Sequence, residues 1–489
     1  MNVQPEHIRR DEAAKAEKRK SLAPRDESYR DAISTVDKQG QRVWVYPKKS
    51  HGKFTRWRQW FGYTLLLFLF IGPFIRISGE PLLMINLVER RFVFFGQVFW
   101  PQDFLIFVIG VITFIIFVAL FTVAFGRLFC GWACPQTVFM EMVFRRIEYA
   151  IEGDWKQQQA LNKGPMTNAK LGKKTLKHAI FFGISFLIGN IFLMYIIGSD
   201  EVLRIIREPA ADHWTGLLAM SVFSGAFYGN FAFFREQACT TVCPYGRLQG
   251  VLLDRKSIVI AYDHERGDPR GLFRKGEDRS AAGKGDCIQC SACVHVCPTG
   301  IDIRNGTQLE CVNCTACIDA CDHMMTSVGL PAGLIRYASE EEIADKKPFT
   351  FNTRMKAYSV VLVGFIVALS TLIVMRTDTE TTILRTPGML FQTRPDGRIS
   401  NLYTIKTVNK TPRDLPLHLE LMNVEGEVQL IGRTMDLKGG ELGRGEAFVI
   451  LGKDQLKGMK TKVIIGIFSG DELLEEVSTS FVGPITIRP

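Results

Sequence analysis

The chain has 489 residues, a formal net charge of +10 and 47% hydrophobic residues. That length exceeds one ordinary domain. The apolar residues are gathered in blocks, which points away from a soluble globular chain, and the basic excess follows a membrane-side bias that calls for no nucleic-acid partner.

Residues 1–59 open the chain as a basic segment. Its first fifty residues are polar, lack an apolar period and are expected to stay flexible or fold only locally. A basic arm of this kind suits anionic lipid. The first apolar block begins near residue 60, behind this charged stretch, so it reads as a retained span and not as a cleaved signal peptide.

Five blocks are long enough to cross a bilayer as helices of about 20 residues. They cover 60–77, 104–125, 179–198, 214–234 and 357–375. The second reads "FLIFVIGVITFIIFVALFTVAF" and the fifth "YSVVLVGFIVALSTLIVM". Neither keeps the polar stripe of a buried soluble helix. Lys and Arg crowd segment 1–59 and loop 126–177. Loop 78–103 has only Arg90 and Arg91, and loop 199–213 only Arg204 and Arg207. The positive-inside bias therefore predicts a cytoplasmic N-terminus, loop 126–177 and segment 235–356, with residues 376–489 on the opposite side.

The first four spans, within 60–250, read as a duplicated two-helix unit. One copy ends at "GRLFCGWACPQ" and the other at "REQACTTVCPYGR". Each places a C-x3-C-P motif at the cytoplasmic edge: Cys130 and Cys134 before Pro135, then Cys239 and Cys243 before Pro244. Repeats of this kind often share a site at their interface. Cysteines four apart face the same way in helical geometry, and the proline disfavours a straight continuation. Together the pairs offer four thiolates, suited to Cu(I) or to a further iron–sulfur cluster. The bland alternative is inert packing by small hydrophobic thiols. Arg127 and Arg235 end spans beside these pairs. They read first as positive-inside anchors, and second as electrostatic tuners of a thiolate site.

Segment 251–356 is a cytoplasmic connector and cluster module. It has a strand-like run, "SIVIAYD", and glycines near Gly283 and Gly285 that read as a flexible approach and not a nucleotide loop. At about 286–326 come two runs spaced C-x2-C-x2-C-x3-C. They are Cys287, Cys290, Cys293, Cys297 and Cys311, Cys314, Cys317, Cys321, with Pro298 after the first. This is the ligand pattern of bacterial ferredoxins with two [4Fe–4S] clusters, in which the fourth cysteine serves the other cluster. The predicted ligand sets are Cys287, Cys290, Cys293 and Cys321, and Cys311, Cys314, Cys317 and Cys297. Zinc usually takes two well-separated CxxC pairs instead. Asp322 stands where ferredoxins often have proline, which bears on the potential of that cluster.

All twelve cysteines fall in segments predicted cytoplasmic, where thiols stay reduced. The histidines argue against a membrane dihaem site. His178 and His213 lie at opposite-side ends of spans, and His295 and His323 read as surface residues of the cluster module. After the fifth span, 357–375, residues 376–489 show alternating runs such as "LYTIKTVN", "LHLELMN" and "KVIIGIF". They predict an immunoglobulin-like β-sandwich without a catalytic motif.

The fold class expected is thus a polytopic α-helical membrane protein with a two-cluster ferredoxin-like module and an exported β-sandwich. The duplicated motifs "CGWACPQ" and "CTTVCPYGR", the ferredoxin insert, the fifth span and the β-rich tail together resemble the cytochrome c oxidase accessory protein family called CcoG, FixG or RdxA. The resemblance covers nearly the whole chain. It implies a protein of the bacterial inner membrane that reduces Cu(II) to Cu(I) for a cbb-type oxidase. The implied partners are a cytoplasmic electron donor or quinol, a copper chaperone and oxidase subunits. The residues alone support electron transfer; copper, expected at Cys130, Cys134, Cys239 and Cys243, and oxidase assembly are what the resemblance implies. A quinol-oxidising subunit and a redox-sensing scaffold are the alternatives.

Overall fold

A computed structural model describes residues 34–484 except 38, 412, 433 and 434. The chain divides into two compact units. One takes residues up to 69, 114–189 and 214–363; the other takes 70–113, 190–213 and residues from 364 onward.

Among the described residues, four helices are long and apolar enough to cross a membrane: Phe104–Phe125, Asn168–Ile197, Trp214–Phe234 and Thr353–Val374. They match the second to fifth predicted blocks. The third starts earlier than expected, because its amphipathic lead-in "NAKLGKKTLKH" continues the same helix. Rings such as Phe107, Phe114 and Phe117 stand exposed along Phe104–Phe125, as a lipid-facing helix requires. The first predicted block is also helical, but as Lys53–Ile71, shifted toward the N-terminus. Lys53, Arg56 and Arg58 lie in its first turns, and Pro73 ends it in the short 3-10 turn Gly72–Phe74. It is not among the four spans.

Within the first unit, residues 34–52 depart from the expected flexible arm. Ser34 Oγ donates to the Thr299 carbonyl at 2.8 Å. The Lys48 amide donates to the His295 carbonyl at 2.7 Å, and the Tyr149 hydroxyl to the Pro47 carbonyl at 3.0 Å. The short run "VWVY" explains this anchoring. Trp44 lies beneath the guanidinium groups of Arg42 and Arg235, 4.3 and 5.0 Å from its ring centre. Residues 1–33 lie outside the described residues.

The duplicated unit is visible in the backbone. Gly126 (φ 58°) and Arg235 (φ 55°) both adopt left-handed geometry, each four positions before the first cysteine of its pair. The predicted run "SIVIAYD" supplies the strand Val259–Tyr262. It pairs antiparallel with Ile335–Ala338 beyond the cysteine runs, a partner not apparent from the sequence. Ile260, Tyr262, Ile288, Ile318, Met325 and Ile335 share a core with the cysteines.

In the second unit, loop 78–103 forms a three-stranded meander of Leu83–Asn86, Arg91–Phe94 and Gln97–Phe99. The tail is a two-sheet β structure. One sheet runs Gly426–Ile431, Leu442–Leu451, Ile399–Asn409, Thr379–Arg385; the other runs Met435–Leu437, Leu415–Leu421, Lys460–Ser469, Glu472–Val482. Tyr403, Val449, Ile467 and Phe481 are fully buried between them. Asn401 clips the sheets together: its Nδ2 donates to the Val482 carbonyl at 2.8 Å and its Oδ1 accepts the Val482 amide at 3.1 Å. Asp103, buried, binds Arg376 and Lys410, each at 2.8 Å.

Candidate functional site

The eight cysteines of the two long runs line two cavities. Cys287, Cys290, Cys293 and Cys321 line the first, with Tyr262 and Arg304. Cys297, Cys311, Cys314 and Cys317 line the second, with Thr299 and Val312, and Cys293 reaches its wall. The fourth cysteine of each run thus crosses to the cavity of the other. Among the described residues, no three or more His, Cys, Asp or Glu side chains close round a single metal ion. The wider spacing and the all-sulfur donor sets fit a polynuclear iron–sulfur centre.

Local backbone geometry creates these cups. Gln289 and Ser291 are left-handed, with φ of 55° each; Asn313 and Thr315 are left-handed at the corresponding places in the second run, at 53° and 66°. Non-glycine residues rarely adopt this region, and four at matched positions mark a repeated loop built to turn its thiols inward. Short helices follow each loop, Ala292–His295 and Ala316–Ser327. The longer one carries Cys317 and Cys321 one turn apart, which lets the two thiols serve different cavities. Burial pushes Cys293, Cys311 and Cys321 up to about 12 and Cys314 up to about 11. Such thiols ionise readily only beside a strong cation such as cluster iron.

The C-x3-C-P cysteines reach one region by a different route from the one expected. Cys130 is helical, within Leu128–Trp132. Cys134 is extended (φ −61°, ψ 126°), and so is Cys243 (φ −66°, ψ 115°), each as the cap before a proline-started helix. The expectation that both thiols of a pair share a helix face is therefore incorrect. A residue before proline is driven out of helical geometry. The fold still assembles the set: besides burial, Cys130, Cys134 and Cys243 all push Cys239 up, to about 12, and Cys130 and Cys243 act on Cys134. The four thiols are gathered without closing round one ion.

This region abuts the second cavity. Cys130 shares an apolar core with Val296, Val312, Cys314 and Ala316. Cys130 Sγ lies 3.4 Å from Gln249 Oε1, which also accepts Arg127 Nε at 2.7 Å. Arg127 and Arg235 are both buried. Arg235 forks onto Glu148 at 2.7 and 2.9 Å, so its charge is satisfied there. Arg58, which sequence reading passed over, is buried and donates through Nε to the Gly131 carbonyl at 2.7 Å. No spacing rule flags it; its importance lies in burial alone. His295 is exposed, as expected, and stacks on Trp155 with ring centroids 4.9 Å apart.

Comparison with known proteins agrees with these features. Residues 234–340 match a family described as a 4Fe-4S dicluster domain, and residues 106–154 one described as a 4Fe-4S binding domain. Residues 369–484 match the IG-like fold at the C-terminal of FixG, putative oxidoreductase. Protein RdxA of Cereibacter sphaeroides is 35% identical over 76% of this chain and 81% of its own. Protein RdxB of the same organism is 36% identical over 75% and 79%. Nitrogen fixation protein FixG of Rhizobium meliloti is 32% identical over 87% of each. A solved FixG-related protein from Vibrio parahaemolyticus aligns with 22% of this chain and 97% of its own, at 22% identity and a TM-score of 0.19. The chain is a membrane iron–sulfur electron-transfer protein, and it belongs to the FixG/RdxA family.

Proposed function

We propose that this protein reduces Cu(II) to Cu(I) for assembly of a cbb-type cytochrome oxidase. Cys130, Cys134, Cys239 and Cys243 receive the copper substrate, and soft thiolates favour the Cu(I) product. Cys287, Cys290, Cys293 and Cys321 would hold one [4Fe–4S] cluster, and Cys297, Cys311, Cys314 and Cys317 the other. Bound there, the clusters supply one-electron transfer. Each Cu(II) takes one electron and leaves as Cu(I).

The observation that carries this reading is the contact between Cys130 and the second cavity. Gly131 lies so close to that loop that an added Cβ would sit 2.4 Å from the Val312 carbonyl oxygen. Donor and acceptor regions are in van der Waals contact, a short path for electrons. The helix Lys53–Ile71 acts as the first of five spans in this reading. The clusters then face the basic, cytoplasmic side, and residues after 376 lie across the membrane, where the β-sandwich meets oxidase or chaperone partners.

A second reading has its own support. The 4Fe-4S binding-domain match over 106–154 contains Cys130 and Cys134, so the membrane-edge cysteines could be ligands of a third cluster. Cys130→Ser and Cys239→Ser separate the two. Cu(II) reduction lost with cluster iron intact supports the copper site. About twelve Fe per chain in the wild type, falling to about eight in both variants, supports a third cluster. Wild-type copper reduction with iron content unchanged in both variants overturns both readings, and quinol oxidation in their place would favour a quinol-linked role.

A further inference from the structure

A further cavity of the first unit lies outside both cysteine-lined sites. It forms where residues 47–50, the first turns of the helix Lys53–Ile71 and the helical residues 141–149 meet. Its remaining wall is Val296, Pro298 and Ala316, from the two cysteine runs. Val296 and Ala316 also share the apolar core with Cys130 and Cys314.

Four cationic side chains line this cavity: Lys48, Lys49, Arg58 and Arg146. None forms an ion pair among the described residues. Arg58 is 7% exposed; its Nε binds the Gly131 carbonyl, and its Nη2 is buried without a partner. Arg146 is held over the Tyr63 ring, 5.3 Å from its centre. The carboxylates close by are engaged elsewhere. Glu141, on the cavity wall, is bound by Arg145 at 3.0 Å. Asp319 accepts the Phe54 and Thr55 amides and the Thr55 hydroxyl. Asp154 accepts the Lys49 amide at 3.1 Å and the Trp155 amide at 2.8 Å. Gathering cations round a buried, unpaired guanidinium nitrogen is unfavourable unless an anion joins them. Forked guanidinium donors beside ammonium point charges match the oxygens of a phosphate.

The depth of the cavity indicates which phosphate. Trp57 and Trp60, on the same helix as Arg58, are 63% and 74% exposed. The run "LLLFLFI" follows them. Exposed indoles between a basic stretch and an apolar run mark a membrane–water boundary, and basic pockets at that depth suit anionic headgroups. The placement is the same whether the helix crosses the membrane or lies along it.

We propose that this cavity is a phosphate site, filled by the headgroup of an anionic phospholipid. Free phosphate offers the same oxygens without the acyl chains. Bound there, the headgroup ties the cysteine loops, through Val296 and Ala316, to the helix Lys53–Ile71 and the lipid around it. The site rests neither on copper as substrate nor on the number of clusters.

The test counts bound molecules by native mass spectrometry on the full-length protein, purified anaerobically in detergent and delipidated. It is mixed with phosphatidylglycerol, with phosphatidylcholine or with inorganic phosphate. A single phosphatidylglycerol should be retained per chain, whereas phosphatidylcholine, whose own ammonium offsets its phosphate, should be lost. Phosphatidylglycerol occupancy should fall severalfold when Lys48→Gln and Lys49→Gln are combined, and again in Arg146→Gln, and should recover in Arg146→Lys. Lys173→Gln removes an exposed cation from the helix Asn168–Ile197, away from the cavity, and should leave occupancy unchanged. Inorganic phosphate retained in place of the lipid, and lost in the same variants, would overturn the lipid as the source of the phosphate. Retention of neither ligand would overturn the site itself. So would phosphatidylglycerol occupancy unmoved by the cavity variants, or lowered equally by Lys173→Gln. Should Arg146→Gln lose iron, the paired lysine variant decides by the same criterion.

Discussion

At Gly131 the side chain is a single hydrogen because nothing larger fits. An added Cβ would lie 2.4 Å from the Val312 oxygen and 2.7 Å from the Asn313 oxygen, both backbone atoms that cannot swing aside. Gly131→Ala should therefore push the C-G-W-A-C turn off the loop of the second cavity. Iron content should hold, while Cu(II) reduction falls severalfold; iron and activity measured on one preparation check this. Glu148 gives a second residue-scale expectation. Burial would raise its carboxyl, but Arg235 and Lys177 outweigh burial and hold it below its ordinary 4.5. A carboxyl depressed in the folded state stabilises above its unfolded value, and that contribution is lost as pH falls through the depressed one. Thermal stability should drop on acidification below about pH 4.5. Glu148→Gln should remove that part of the pH dependence and cost about 3–5 kcal/mol by stranding Arg235. Cysteine positions were readable in the sequence because ligand spacing is itself chemical information. The burial of Arg58, Arg127 and Arg235 was not, because it depends on what packs around them in three dimensions.

Among elements, the helix Lys53–Ile71 is held from outside its own sequence. Asp319, on the helix Ala316–Ser327, accepts the Phe54 amide at 3.1 Å, the Thr55 amide at 2.6 Å and the Thr55 hydroxyl at 2.6 Å. A carboxylate at free helix amides is an N-cap, here supplied across 264 positions of chain. Gly52 makes the approach possible, since a Cβ there would lie 2.3 Å from the Asp319 carboxyl carbon. Asp319→Ala should loosen the first turn by about 1 kcal/mol, and tryptic cleavage at Lys53 and Arg56 should accelerate while the iron signals persist. Unchanged cleavage rates would show the cap to be dispensable. The existence of this helix was readable from its apolar run, but its start was not, because the capping group is remote. The C-x3-C-P turns failed in the reverse sense. A helical period was assumed across Cys130–Cys134, yet the local rule for a residue before proline prevailed.

For the whole molecule, the decisive question is how many times the chain crosses the membrane. Among the described residues, four helices qualify by length and apolarity, and the helix Lys53–Ile71 combines a basic first half with the run "LLLFLFI". The positive-inside bias of segments 1–59 and 126–177 holds both on one side only if that fifth helix crosses. Five crossings put residues after 376 opposite the N-terminus; four put both on the same side. The cysteine distribution favours five, because all twelve lie before residue 322 and none in the tail, as expected if only the tail enters an oxidising compartment. A reporter active only after export, fused behind Pro489, should then be active, and one fused at residue 160 silent. The reverse pattern would mean that Lys53–Ile71 does not cross and that loop 126–177 is exported against its charge. The same outcome at both points would mean that one of the three helices between them, Asn168–Ile197, Trp214–Phe234 or Thr353–Val374, fails to cross.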